Sequence, residues 1–124
     1  MKKILFIEDD PRLVQSLKDF MAKDEFQLIP AFDGIQGVEL VKKELPDLIL
    51  LDLILPKKSG FEVLKEIKAD EKSAEIPVII LTNLENSKDV EKALSAGADT
   101  YLVKARYSME DLVKKIKETV NLKE

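Results

Sequence analysis

A five-stranded parallel sheet with helices on both faces is the fold class this sequence predicts. Three observations lead to it. Short apolar runs alternate five times with stretches of helical periodicity. The connections between them are short, which implies a parallel sheet with right-handed crossovers. Polar residues capable of chemistry stand where the apolar runs end, and open α/β sheets place their ligands at the carboxyl ends of their strands. At 124 residues, the chain reads as one domain, 1–124, able to bury a core without staples.

The first strand is read over Lys3 to Ile7 and ends in Glu8-Asp9-Asp10-Pro11. Asp10 is placed as a helix N-cap, with Pro11 at the first helical position, where its missing N–H costs nothing. Leu13, Val14, Leu17, Phe20 and Met21 then recur on one helical face. Gln27 to Phe32 is a less apolar strand, nearer a sheet edge. Asp33-Gly-Ile-Gln has capping-box spacing and opens a helix carrying Val38, Leu40 and Val41, which Pro46 stops.

Leu48 to Leu51 is an unbroken apolar run, the mark of a strand buried on both faces, and Asp52 closes it. A turn at Pro56-Lys57-Lys58 follows, with both lysines read as solvated. Ser59-Gly-Phe-Glu is a second capping box, opening a helix with Phe61, Leu64 and Ile67 inward. Val78 to Leu81 is another fully apolar strand, ending at Thr82. Ser87 is expected to cap the fourth helix, with Val90, Ala93 and Leu94 inward and Gly97 ending it. Thr100 to Val103 is the last strand, followed at once by Lys104. Ser108 caps a final helix with Leu112, Val113, Ile116 and Val120 on one stripe.

Composition narrows the function. The net charge is -4 with scattered basic residues, so nothing argues for direct nucleic-acid contact or an anionic membrane surface. The absence of cysteine excludes disulfides, thiol catalysis and zinc-thiolate sites, and the absence of histidine excludes an imidazole base or a phosphohistidine carried by this chain. The apolar start is four residues long and runs into three acids, which argues against a signal peptide. No stretch is long enough to span a membrane. The cytoplasm is the expected compartment.

The strand ends collect Glu8, Asp9 and Asp10, then Asp52, Thr82 and Lys104. Carboxylates this close repel and raise one another's pKa. A hard divalent cation relieves the repulsion, and Mg²⁺ prefers a few oxygens and binds phosphate. With a phosphoryl donor, such a site serves phosphoryl transfer, with Asp52 attacking in line. Taken singly, Thr82 would pass for an ordinary strand-end threonine, Tyr101 for a packed aromatic and Lys104 for a loop lysine. A phosphohydrolase with an Asp nucleophile would need an acid at position 54, which is Ile54. A flavodoxin-like cofactor binder would need a hydroxyl- and glycine-rich loop where Glu-Asp-Asp stands.

Ile7-Glu8-Asp9, Leu50-Leu51-Asp52-Leu53, Pro56 with Gly60, Leu81-Thr82, Ala96-Gly97-Ala98-Asp99-Tyr101 and Lys104, in this order and spacing, resemble the receiver domain of two-component response regulators over the whole chain. The resemblance implies strand order 2-1-3-4-5 with five helices on both faces. It implies that Asp52 is the phosphoacceptor, that Mg²⁺ (or Mn²⁺) is held by Asp9, Glu8, Asp52 and the backbone carbonyl of Ile54, and that Lys104 binds the phosphoryl group. Thr82 and Tyr101 correspond to the switch pair that alters the face of the fourth helix, fifth strand and fifth helix. The implied donor is a partner histidine kinase or phosphotransfer protein. The chain would then be a signalling module, catalysing only its own phosphorylation and slow dephosphorylation, and a phosphorylation-dependent dimer is compatible with this. Three departures stand out. Ala105 replaces the family's usual proline, so a trans Lys104–Ala105 peptide is expected; Asn83 replaces a small residue; Ile54 and Leu84, flanking the site, are apolar.

Overall fold

A computed structural model describes residues 1–121; residues 122–124 of the expected domain lie outside the described residues. The elements run β1 (Lys2–Ile7), α1 (Pro11–Phe20), β2 (Phe26–Ala31), α2 (Gly34–Glu44), β3 (Leu48–Leu51), α3 (Gly60–Ala69), β4 (Val78–Thr82), α4 (Ser87–Ser95), β5 (Thr100–Val103), a 3₁₀ turn (Lys104–Arg106) and α5 (Met109–Asn121). The strands are parallel, in the order β2-β1-β3-β4-β5, as expected.

Alternation along the strands divides the core into two layers. Ile4, Phe6, Leu48, Leu50, Ile79 and Leu81 face α1 and α5, meeting Val14, Leu17, Leu112, Val113 and Ile116. Leu5, Ile7, Ile49, Leu51, Val78 and Ile80 face the other way, onto Val38, Val41, Val63, Leu64, Ile67 and Ala93. All four residues of β3 are buried, which is why that strand reads as a continuous apolar run rather than an alternating one.

Side-chain caps start the helices. Asp10 Oδ1 accepts from the Arg12 N–H at 3.0 Å, with Pro11 at the first position. Asp33 Oδ1 accepts from the Gln36 N–H at 2.8 Å. The Gln36 side chain reaches back one residue further than a capping box predicts, to the Phe32 N–H at 2.8 Å. Ser59 Oγ accepts from the Glu62 N–H and Ser108 Oγ from the Asp111 N–H, as read from sequence. The fourth cap differs: Asn86, not Ser87, holds α4. Its backbone is extended and its Oδ1 accepts from the Asp89 N–H at 2.9 Å, leaving Ser87 as the first helical residue. Asn caps as well as Ser does, so the extra residue of loop decides the position. Gly97 follows the end of α4 at φ +108°, a backbone region that costs glycine nothing.

Two expected core residues face solvent. Phe20 at the end of α1 is 51% exposed and Leu94 in α4 is 45% exposed. Each sits at the margin of its helical stripe, where rotation of the last turn takes it past the sheet. Nor are the two turn lysines simply solvated. Lys57 Nζ lies 3.6 Å from Asp33, and Lys58 pairs with Glu66. Together they tie the β3–α3 loop to the helices on either side.

Candidate functional site

Four strand ends deliver the site. The Glu8 N–H donates to the Ala31 carbonyl at 2.9 Å, and the Asp52 N–H to the Ile7 carbonyl at 3.0 Å. The ladder therefore carries one residue past each strand and holds both carboxylates at the same edge. Glu8, Asp52 and Thr82 are buried, at 1%, 4% and 0% exposure, whereas Asp9 is exposed. One carboxylate oxygen from each of Glu8, Asp9 and Asp52 lies within 4.8 Å of the others.

Lys104 closes the group from β5. Its ammonium donates to Asp52 Oδ2 at 2.9 Å and stands 2.7 Å from Glu8 Oε1. The Ile54 N–H donates to Asp52 Oδ1 at 3.2 Å, and the Asp10 N–H to Glu8 Oε2 at 3.2 Å. Each carboxylate thus spends one oxygen on the local loop and turns the other to the lysine. Glu8 Oε1 nevertheless has no hydrogen bond of proper geometry; its 2.7 Å contact is an ion pair.

Electrostatics follow from burial. Burial pushes the Glu8 carboxyl above the ordinary carboxylate range, and the Asp52 charge adds to that against the opposing Lys104 ammonium. For Lys104, burial works against the charge, but Glu8 and Asp52 outweigh it and hold the ammonium above its usual value. A buried glutamate oxygen lacking a hydrogen bond, in an all-oxygen donor set, fits a hard divalent cation.

Gly60 sets the loop after β3. A Cβ there would fall 2.2 Å from the Asp52 carbonyl oxygen and 2.5 Å from Leu53 Cα. Without one, the start of α3 presses against Asp52, and the Gly60 N–H donates to the Leu53 carbonyl at 2.9 Å. Ile54, 57% exposed, rides on this loop.

The Thr82–Tyr101 relationship could not be read from spacing. The Leu84 N–H points at Thr82 Oγ1, at 3.5 Å, and the Leu84 carbonyl accepts from the Tyr101 hydroxyl at 2.6 Å. Leu84, through the N–H of one peptide unit and the carbonyl of the next, stands between the two side chains. Tyr101 is part-buried against the core. Burial, with Asp89 and Asp52 nearby, raises its phenol, which keeps it a donor. The Lys104–Ala105 peptide is trans, and Lys104 opens the 3₁₀ turn. A cavity of about 240 Å³ beside Lys104 is lined by Asp10, Asn83, Tyr107 and Ser108 among others.

With this geometry in place, comparison with known proteins decides the family. The family model for the response regulator receiver domain matches residues 4–117. The chain is a response regulator receiver domain. As such it belongs to the phosphoryl-accepting signalling modules of two-component systems. It is 44% identical over 117 residues to the transcriptional regulatory protein CiaR of Streptococcus pneumoniae, covering 94% of this chain and 50% of that protein. The chain spans about half the length of the curated relatives it matches. Among solved structures it resembles the Mn²⁺-bound form of response regulator Rcp1, at 35% identity and TM-score 0.79, covering 95% of this chain and 91% of that one. It also resembles the receiver domain of the sensor histidine kinase PA1611 from Pseudomonas aeruginosa, which has a magnesium ion in its active-site cleft. That likeness has 28% identity and TM-score 0.85, with 97% and 98% of the two chains covered. Among the described residues, no helix is long and apolar enough to cross a membrane.

Proposed function

We propose that this receiver takes its phosphoryl group on the Asp52 carboxylate from a phosphohistidine of a partner histidine kinase or phosphotransfer protein. The observation that carries the assignment is the placing of Lys104 Nζ 2.9 Å from Asp52 Oδ2, at the mouth of a three-carboxylate cluster. An oxygen of Asp52 attacks phosphorus, the donor's N–P bond breaks, and the pair of electrons returns to the histidine nitrogen. Lys104 follows the charge, exchanging its contact with the carboxylate for one with a phosphoryl oxygen. Mg²⁺ or Mn²⁺ would be held by Asp9, Glu8, Asp52 and the Ile54 carbonyl, and when bound supplies the positive charge that a phosphoryl group among carboxylates requires. The Mn²⁺-bound form of Rcp1 and the magnesium ion in the PA1611 receiver's cleft support a divalent cation at such a cluster.

Output passes through Thr82 and Tyr101. The phosphoryl group gives the Thr82 hydroxyl a strong acceptor. Drawing Thr82 toward it strains or releases the Leu84 peptide, and with it the start of α4. Phosphorylation would favour a Tyr101 turned inward, and the Tyr101–Leu84 hydrogen bond supports the reading that the face of α4, β5 and α5 is what a partner would read. Residues 1–124 contain no histidine, so a phosphohistidine donor would lie outside them.

The test is incubation with acetyl phosphate and Mg²⁺, followed by intact-mass measurement. One added phosphoryl group is expected, lost with a chelator and lost in Asp52→Asn. Equal labelling of Asp52→Asn would refute the assignment.

A further inference from the structure

Between α3 and α4 the helices leave an open groove of about 360 Å³. Phe61, Ala69 and Ala96 form its floor, and Lys65, Lys68 and Lys92 stand along it. No carboxylate lines it, although the chain as a whole carries a net charge of -4. We infer that this groove is a docking site for an acidic peptide segment of a partner protein, with an apolar side chain seated on the Phe61–Ala69–Ala96 floor and carboxylates on Lys65 and Lys92.

The three lysines play different parts. Lys68 is committed to the fold: its ammonium donates to the Ala74 and Ile76 carbonyls at 3.1 and 2.9 Å and lies 3.9 Å from Asp99. It contributes an apolar stem to the wall. Lys92 lies over the Phe61 ring, 4.2 Å from its centroid, an exposed cation–π contact that an incoming carboxylate can share rather than break. Lys65 is exposed on the opposite helix. Lys65 on α3 and Lys92 on α4 thus line the groove from its two helices.

The shape favours a peptide. Phe61 to Ala69 spans nine residues of α3, about 12 Å at 1.5 Å of rise per residue. It holds an amphipathic segment in the way helix grooves commonly do, by a spaced apolar anchor with charge at the rim.

The groove also has a route to the switch, and this second half of the inference rests on the function proposed above. Ala93 is the only residue of α4 that is fully buried. The helix is capped by Asn86, two residues after Leu84, whose N–H and carbonyl meet Thr82 and Tyr101. A pull on the Leu84 backbone moves the α4 wall against the α3 wall and changes the groove's width. Peptide binding and phosphorylation are then coupled: phosphorylation changes the peptide's affinity, and the bound peptide shifts the phosphorylation equilibrium by the same factor.

The probe is a twelve-residue peptide repeating Asp-Leu-Glu-Phe three times, with a Lys-Leu-Lys-Phe repeat as control, titrated into ¹⁵N-labelled protein. The acidic peptide is expected to shift the amides of Lys65, Ala69, Lys92 and Ala96, and the basic one to leave them. In Lys65→Glu/Lys92→Glu the affinity should fall at least about tenfold, with labelling by acetyl phosphate unchanged. Undiminished binding in that variant, or shifts centred elsewhere, overturns the docking site. Both lysines are exposed, and a far-UV circular dichroism spectrum verifies that the variant is folded; Ala69→Trp, which fills the floor, should block binding independently. Repeating the titration on the phosphorylated protein should change affinity several-fold. Equal affinities overturn the coupling. Failure to label Asp52 would instead tell against the phosphoacceptor assignment and leave the docking result standing.

Discussion

The Tyr101 hydroxyl donates to the Leu84 carbonyl at 2.6 Å, while the N–H of the same Leu84 faces Thr82 Oγ1. Residues nineteen positions apart, Thr82 and Tyr101 on adjacent strands, are therefore linked through the backbone of a single loop residue.

Removing the Thr82 hydroxyl should cut this link at its phosphoryl end. Thr82→Ala is expected to accept a phosphoryl group, yet to lose the phosphorylation-induced NMR shifts around Tyr101 and the start of α4. Tyr101→Phe deletes the hydrogen bond at the other end, at a cost of about 1 kcal/mol, and should loosen the loop before any phosphorylation. Shifts unaltered in Thr82→Ala would count against the relay.

Burial makes the Glu8 carboxylate costly, a cost that the proposed metal binding would offset. Its folded carboxyl titrates higher than an ordinary glutamate because it is buried, so its contribution to stability is fully present below the unfolded pKa and is lost as pH rises through the folded one. At neutral pH without metal, Glu8→Gln should raise Tm by a few degrees. Near pH 4 the gain should shrink, since the parent's Glu8 is then itself protonated. The same variant should lose most of the Tm increase that millimolar Mg²⁺ gives the parent. Thermal melts at two pH values, with and without Mg²⁺, check each arm.

Gly60 tests the fit of the β3–α3 loop. In an exposed helix, Gly→Ala stabilises by about 1 kcal/mol. Here the added methyl meets the Asp52 carbonyl oxygen at 2.2 Å, so the sign should reverse. Gly60→Ala is expected to lose roughly 1–3 kcal/mol in urea unfolding and to slow phosphorylation of the displaced Asp52. A stability equal to the parent's would mean that the loop yields without cost.

The lifetime of the phosphorylated state depends on water reaching phosphorus in line, which a polar group nearby can orient. Ile54 is exposed beside Asp52, and Leu84 packs partly against the core; neither can hydrogen-bond water. Self-dephosphorylation is therefore expected to be slow. Ile54→Asn and Leu84→Glu should both speed decay of the labelled protein, measured by loss of the phosphoryl mass with time. Decay in the parent as fast as in the variants sinks the idea. A change confined to Asn83→Ala would pass control to Asn83, which lines the cavity beside Lys104.

The local grammar of the fold was legible. Apolar runs gave strands, periodic stripes gave helices, and Asp10, Asp33, Ser59 and Ser108 marked helix starts because a cap is settled within four residues. Glu8, Asp52, Thr82 and Lys104 could be named because each directly follows an apolar run. The resemblance supplied the strand order, and the sheet conforms to it. Less legible were features depending on where an element's surface meets another. Phe20 and Leu94 match the helical period but turn past the sheet, and the cap of α4 lay one residue earlier than read.

Sequence by itself determined that carboxylates, a hydroxyl and an ammonium sit at strand ends, since alternation of apolar runs and helices is a property of neighbouring residues. Only tertiary structure decided that Lys104 meets Asp52 and Glu8 at once, that Leu84 joins Thr82 to Tyr101, and that α3 and α4 part to leave a lysine-rimmed groove. Those relationships link residues brought together by strand order and helix packing. Spacing along the chain carries local periodicity, but the crossovers and packed layers set the distance between residues far apart in sequence.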